Sequence, residues 1–154
     1  MIPPLKLYNT LSRSLEPFVP LASPVVTLYV CGPTVYDDPH VGHARSAYTF
    51  ELLRRTLTHA GYQVRFVRNV TDVDDKIIEK ARQELQAQAS SRQPQALEET
   101  CREVARRYLK SYHAMLEQLG IEPPTHEPLA TQHVVPDMTD LIAKLLINGV
   151  AYEA

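Results

Sequence analysis

Three side chains whose types and spacing suggest chemistry lie within thirteen residues of one another: Cys31, His40 and His43. Cys31 follows an apolar run, Val25 to Val30, and is itself followed by Gly32. A short loop with Pro33 and Pro39 then leads to His40-Val41-Gly42-His43, where a helical pattern begins. The first turn of a helix has amides without intrahelical partners and a partial positive charge, so a phosphate is stabilised there. Two histidines three apart share a face on a helical turn, and both can donate to phosphate oxygens. Gly42, lacking a Cβ, lets a flat ring or a phosphate approach the backbone. The plainer reading of the same residues is a pair of solvent-facing histidines at a helix cap.

Cys31 also has two readings. A cysteine ending a buried strand behaves as a small hydrophobe; as a thiolate it is a soft metal ligand, but one cysteine does not make a four-ligand zinc site. Cys101 falls on the apolar face of an amphipathic helix, and neither His126 nor His133 shows ligand spacing with Cys31. Thr71, Asp72, Asp74 and Asp75 form a second polar cluster. An EF-hand is excluded, because counting from Asp72 the glycine position is Ile77 and the closing glutamate position is Gln83. A phosphoaspartate motif fits poorly, with Lys76 two residues after its second aspartate. Thr71 or Asp72 as the N-cap of a helix over residues 73–88 accounts for the cluster structurally, and one residue can serve as both cap and ligand.

The elements that position these groups follow from periodicity. Residues 25–30 are apolar on both alternations, which predicts a strand covered on both faces, as in a parallel sheet. Ala47, Phe50, Leu53, Leu57 and Ala60 recur at helical spacing over 45–60, with Gly61 as the stop. Residues 62–67 read as a second strand with Tyr62, Val64 and Phe66 on one face. Strand, helix and strand make a βαβ unit, so the loops after Val30 and Val67 should lie side by side, at the edge where α/β sheets bind ligands. Before this unit, residues 1–24 form a lead-in with a short strand near Leu5–Tyr8, Leu7 and Tyr8 packing on the core. After it come a helix at 73–88 with Ile77, Ile78, Ala81 and Leu85 inward, a polar loop at 89–95, and a helix at 96–119. The stripe of that last helix is Leu97, Cys101, Val104, Tyr108, Tyr112 and Leu119. Residues 125–133 are a loop or extended segment, a final helix covers 136–148 with Met138, Leu141, Ile142 and Leu145 apolar, and a strand begins at 150–154.

The 154 residues, 44% hydrophobic and 22% charged, suffice for a globular, soluble domain with a real core. No apolar run spans a membrane and no signal peptide is visible. Two cysteines without framework spacing fit a reducing cytoplasm. A net charge of −2 gives no electrostatic signature of nucleic-acid binding, and Arg54, Arg55, Arg65 and Arg68 read as ordinary solvated surface.

Taken together, Cys31-Gly32-Pro33-Thr34-Val35-Tyr36-Asp37, His40-Val41-Gly42-His43 and Asn69-Val70-Thr71-Asp72-Val73-Asp74-Asp75-Lys76, in that order on a strand–helix–strand frame, closely resemble the cysteine–tRNA ligases, class I aminoacyl-tRNA synthetases. The HVGH is similar to that class's HIGH signature, and the resemblance runs from Leu7 to the final Asn148-Gly149-Val150-Ala151-Tyr152-Glu153-Ala154. It implies the first half of a Rossmann-like (HUP-type) parallel α/β sheet over residues 1–90, followed by the helical start of a connecting insertion over 91–154. It implies ATP-dependent activation of L-cysteine to an adenylate and transfer to tRNA(Cys), by a cytoplasmic enzyme that is a monomer when complete. His40 and His43 would be catalytic. Both, with Gly42 and Thr34, would bind ATP, which Mg²⁺ would accompany as part of the substrate; Cys31, Gly32, Thr71 and Asp72 would bind the amino acid. Cys31 would be one ligand of a zinc ion whose other ligands come from beyond Ala154. Thiolate–zinc recognition explains how cysteine is told from serine, since a pocket discriminates poorly between near-isosteres. The resemblance ends midway through the family's catalytic region, before its KMSKS-like loop and anticodon-binding part, so the isolated chain is expected to be a poor catalyst. Two alternatives share these residues: a ligase joining cysteine to an amino sugar, and a non-catalytic truncated paralogue that binds ATP or cysteine.

Overall fold

The computed structural model describes residues 5–87 and 94–153. It opens with an antiparallel hairpin of β1 (Lys6–Asn9) and β2 (Ser14–Pro17). The second strand of this hairpin was not expected, because Ser14-Leu15-Glu16-Pro17 is too short and polar to show a pattern. Leu7 is half-buried, but Tyr8 is exposed, since a two-stranded ribbon buries only one side.

The centre is the parallel pair β3 (Val25–Val30) and β4 (Gln63–Arg68), in register from Val25 opposite Gln63 to Val30 opposite Arg68. α1 (Val41–His59) connects them, as the βαβ reading requires. The segment 125–130 adds a third, irregular parallel rung against β4: the Arg68 amide donates to the His126 carbonyl, and the Val70 amide to that of Pro128. Val26 and Val30 are buried but Tyr29 is 62% exposed, so β3 is covered on one face only, contrary to the expectation from its apolar composition.

α1 begins at Val41, four residues before its apolar repeat becomes visible, because its first turn is built of small and polar residues. Gly61, at φ 93°, ends it, with its amide on the Thr58 carbonyl and the Tyr62 amide on that of Leu57. α2 (Asp75–Ala87) starts later than predicted. Its cap is Asp74, whose Oδ1 accepts from the Lys76 amide at 2.9 Å, and neither Thr71 nor Asp72 takes that role. α3 (Pro94–Gln118) opens on Pro94, a residue assigned above to the polar loop, since proline suits a first helical turn. The remainder of that loop, and with it the expected boundary at residue 90, lies outside the described residues.

One core cluster joins Val35, Val70, Ile77, Ala81, Val104 and Ala105, packing α2 and α3 against the loops that leave the sheet. A second joins Ala47 of α1 to Tyr112, Leu116 and Ile121. Leu119, just past the end of α3, is exposed rather than part of the stripe. α4 (Thr139–Ile147) begins after a kinked turn at Val134–Met138 that contains Pro136, so Pro136 is not in the helix's first turn. Leu141 and Ile142 on its apolar face are exposed. Residues 150–153 form no strand; the Val150 and Ala151 amides fold back onto the Leu145 carbonyl and close α4. Among the described residues no helix is long and apolar enough to cross a membrane.

Two clusters depart from the solvated-surface reading of the arginines. Glu51, 1% exposed, sits on the inner side of α1 and accepts from Arg54 at 2.9 Å and from Arg55 Nε at 2.6 Å. Burial by itself would raise the Glu51 carboxyl; the hydrogen bonds and charges of the two arginines outweigh it and hold the group below the ordinary glutamate value. Arg54 also pairs with Glu122 at 2.8 Å, and Arg55 donates to the Gly120 carbonyl, so the network ties α1 to the turn after α3. Arg68, 2% exposed, ends β4 beneath Tyr112 and pairs with Glu127 at 3.0 Å.

Candidate functional site

The loops leaving β3 and β4 do lie side by side. The Thr71 amide donates to the Pro33 carbonyl at 3.0 Å and the Val35 amide to that of Thr71 at 3.2 Å, extending the ladder past the strands through Thr34 and Thr71. Asn69 locks the junction: its Oδ1 accepts from the Gly32 amide and from the Tyr29 hydroxyl, both at 2.9 Å. Gly32 is required there, because a Cβ would stand 1.5 Å from the Asn69 carbonyl oxygen. This close approach directs Cys31 away from the core, and its thiol is exposed.

The two histidines form a reciprocal cap on α1. His40 is the N-cap, and its Nδ1 accepts from the Gly42 amide at 3.0 Å. His43, in turn, accepts from the His40 amide on its own Nδ1 at 3.1 Å. Accepting on Nδ1 assigns the proton of each neutral ring to Nε2. Burial first, and the neighbouring His40 second, lower the His43 pKa and favour its neutral form. The rings lie 4.1 Å apart, and Tyr112 of α3 meets His43 edge-on at 6.4 Å. The cap reading and the ligand reading are therefore compatible: each imidazole spends one nitrogen on the helix and keeps an N–H donor. Gly42 serves this arrangement, since a Cβ there would come within 2.7 Å of the His40 ring. The expected free amides are fewer than a bare helix start would offer: those of His40 and Gly42 are taken by the two rings and that of His43 by the His40 carbonyl.

Cys31, Gly32, Thr34, His40, Gly42 and His43 line one cavity of about 290 Å³, which Lys76 and Tyr112 also border. Thr71 and Asp72 are not among its lining residues. Thr71 reaches it only through its pairing with Thr34, while both Asp72 oxygens accept from Thr131, one from its amide at 2.9 Å and one from its hydroxyl. Asp72 thus braces the β4 exit against the 130–132 turn, and it lines a separate cavity between α2 and α3. Asn69 and Lys76, present in the motif, and Tyr112, present in the helix stripe, carry no site role in the reading of the sequence. Asn69 carried a signal, a polar side chain at the strand exit next to the Cys31 loop, whereas Tyr112 is indistinguishable in sequence from the other apolar-stripe residues of its helix.

Among the described residues no three of His, Cys, Asp and Glu gather to hold a metal ion. Cys31 is a single soft donor, and its thiol donates weakly to the neighbouring Gly32 carbonyl, 3.7 Å from Sγ. The residues present do not by themselves make a tetrahedral zinc site.

Residues 17–154 match the family model described as the tRNA synthetases class I (C) catalytic domain. The chain is 48% identical to a cysteine–tRNA ligase of Phocaeicola vulgatus, over 97% of its own length and 30% of the relative's. It is 45% identical to one of Aquifex aeolicus, over 96% of the chain and 27% of the relative, and 46% identical to one of Cupriavidus pinatubonensis, over 97% and 29%. It therefore spans about 30% of the length of the curated relatives that it matches.

Proposed function

The chain belongs to the family of class I (C) tRNA synthetase catalytic domains, and from that premise we propose that it carries the ATP- and cysteine-binding half of a cysteine–tRNA ligase site. The observation that carries this reading is the shared cavity: two imidazoles whose remaining donors are Nε2–H, set at a helix N-terminus, face the same space as an exposed thiol. L-Cysteine's carboxylate is ionised at neutral pH and attacks the α-phosphorus of MgATP without a general base, with pyrophosphate leaving. The work left to the protein is positioning and stabilising charge on the phosphoryl oxygens. His40 and His43 are preorganised for this, because their cap bonds fix both ring planes before any nucleotide arrives. Gly32 and Thr34 line the cavity, and Thr71, paired with Thr34, and Asp72, held by Thr131, brace that wall from behind. Cys31 offers one soft ligand to a zinc ion whose remaining ligands lie outside this chain. Transfer to tRNA(Cys), a cytoplasmic location and a monomeric complete enzyme belong to the same proposal.

MgATP binding measured by calorimetry on the chain and on His40→Ala and His43→Ala tests the reading. A hydrogen bond to a charged group contributes about 1.5–3 kcal/mol, so each variant should bind roughly 10- to 100-fold more weakly. Equal affinity in the parent and both variants, or no binding by the parent, refutes it.

A further inference from the structure

Arg68 is an unusual residue to bury. Its guanidinium is 2% exposed, has one carboxylate partner, Glu127 at 3.0 Å, and leaves Nε and Nη1 buried without any acceptor among the described residues. Each unpaired buried donor carries a desolvation cost that an apolar side chain of similar length would avoid. The position gives the reason. The guanidinium carbon lies 5.2 Å from the centroid of the buried Tyr112 ring, and that ring abuts His43 edge-on at 6.4 Å. Glu127, which holds Arg68, is itself held by His113 Nε2 at 2.6 Å, one residue after Tyr112 on α3. The Arg68 amide further donates to the His126 carbonyl, so the guanidinium and its anchor are set by the same pair of sheet rungs.

We propose that Arg68 is a positioning residue for His43: pinned by Glu127, it holds the Tyr112 ring by a cation–π contact, and Tyr112 forms the wall that fixes the His43 imidazole and shields it from water. A cation–π contact is strongest where the cation is desolvated, as here. The site's second histidine is thereby coupled to the end of β4 and to the 125–130 rung, neither of which lines its cavity. The titratable groups sharing the cavity with His43 are His40 on its own turn, Cys31 and Tyr36 from the loop after β3, Lys76 from α2 and Tyr112 from α3, with Arg68 behind Tyr112.

This inference deepens the donor role proposed for His43, but its test needs no nucleotide. Imidazole NMR of the ¹⁵N-labelled chain reads the His43 tautomer and titration midpoint. The parent should show the Nε2–H form and a midpoint below that of an ordinary histidine. Arg68→Met and Tyr112→Leu should each move the midpoint up towards the ordinary value, as the shielding ring turns away or is lost, while Tyr112→Phe leaves it in place. Arg68→Met should add nothing in the Tyr112→Leu background; an equal shift there would mean a direct charge effect and would overturn the proposal. Glu127→Gln is the variant to use if Arg68→Met does not fold. Through-space electrostatics alone predicts that losing this anion lowers the midpoint, whereas a loosened Tyr112 raises it, so a fall or no change overturns the coupling. Failure of MgATP to bind the parent counts against the proposed function alone, and an unmoved His43 counts against the coupling alone.

Discussion

Replacing Gly32 with alanine tests how the site is held together. The glycine's φ is not in the left-handed region, so alanine brings no backbone strain and the effect is one of contact alone. The added Cβ would sit 1.5 Å from the Asn69 carbonyl oxygen and 2.8 Å from its carbonyl carbon. A close carbon–oxygen contact needs about 3.3 Å, so the two loops must separate by roughly 1.8 Å. Both clashing atoms are main chain and cannot rotate away. A shift of that size breaks the Gly32–Asn69 hydrogen bond of 2.9 Å and strains the two rungs beyond it, at 3.0 and 3.2 Å. Three hydrogen bonds at about 0.5–1.5 kcal/mol each, overlapping with an overpacking cost of about 1–3 kcal/mol, give a loss of about 3–5 kcal/mol. Urea unfolding of the chain followed by circular dichroism measures it. Asn69→Ala is the control: it removes the Oδ1 acceptor but introduces no clash, and should cost only about 1–2 kcal/mol. If Gly32→Ala unfolds within 1 kcal/mol of the parent, the close approach that aims Cys31 outward is not a real constraint of the fold.

Gly42→Ala should behave differently, because its Cβ meets only the His40 ring, which can swing aside. The gain in helix propensity, about 1 kcal/mol, offsets the lost cap, so urea stability should stay nearly unchanged while MgATP affinity falls. Glu51→Gln should destabilise by about 1–3 kcal/mol, less than a fully buried pair would because Arg54 keeps Glu122. Since the folded-state pKa of Glu51 is lowered, its stabilisation is present above the ordinary glutamate value and is lost as pH falls through the folded value; the variant's stability should therefore vary less on the acid side. Thiol labelling with a soluble disulfide reagent at pH 8 should modify the exposed Cys31 first. Cys101, half-buried on α3 with its thiol pKa raised chiefly by burial, should react much more slowly until the chain unfolds.

The βαβ frame, the stop at Gly61 and the convergence of Cys31 with His40 and His43 were all legible in the sequence. Each depends on local information: the period of apolar residues, a glycine where φ turns positive, and the rule that parallel strands bring their exit loops to one edge. The family could be recognised for the same reason, because its three motifs are short runs of chain whose order suffices to identify them.

Other features were settled by contacts that no sequence pattern shows, some local and some between residues far apart in the chain. Asp72 is a brace because Thr131 arrives beside it, and Asp74 takes the cap that Thr71 or Asp72 could equally have filled. Arg68 and Glu51 are buried because acidic and basic partners meet them inside the fold, and composition alone assigns such residues to the surface. Which nitrogen each histidine keeps for a ligand depends on two backbone amides at the start of α1, and the shielding of His43 depends on a tyrosine sixty-nine residues further along the chain. Sequence alone therefore specified that Cys31, His40 and His43 come together and on which elements they sit. Only the tertiary structure decided their protonation, burial and partners, because these are properties of the space between elements, and no single element carries that space in its pattern.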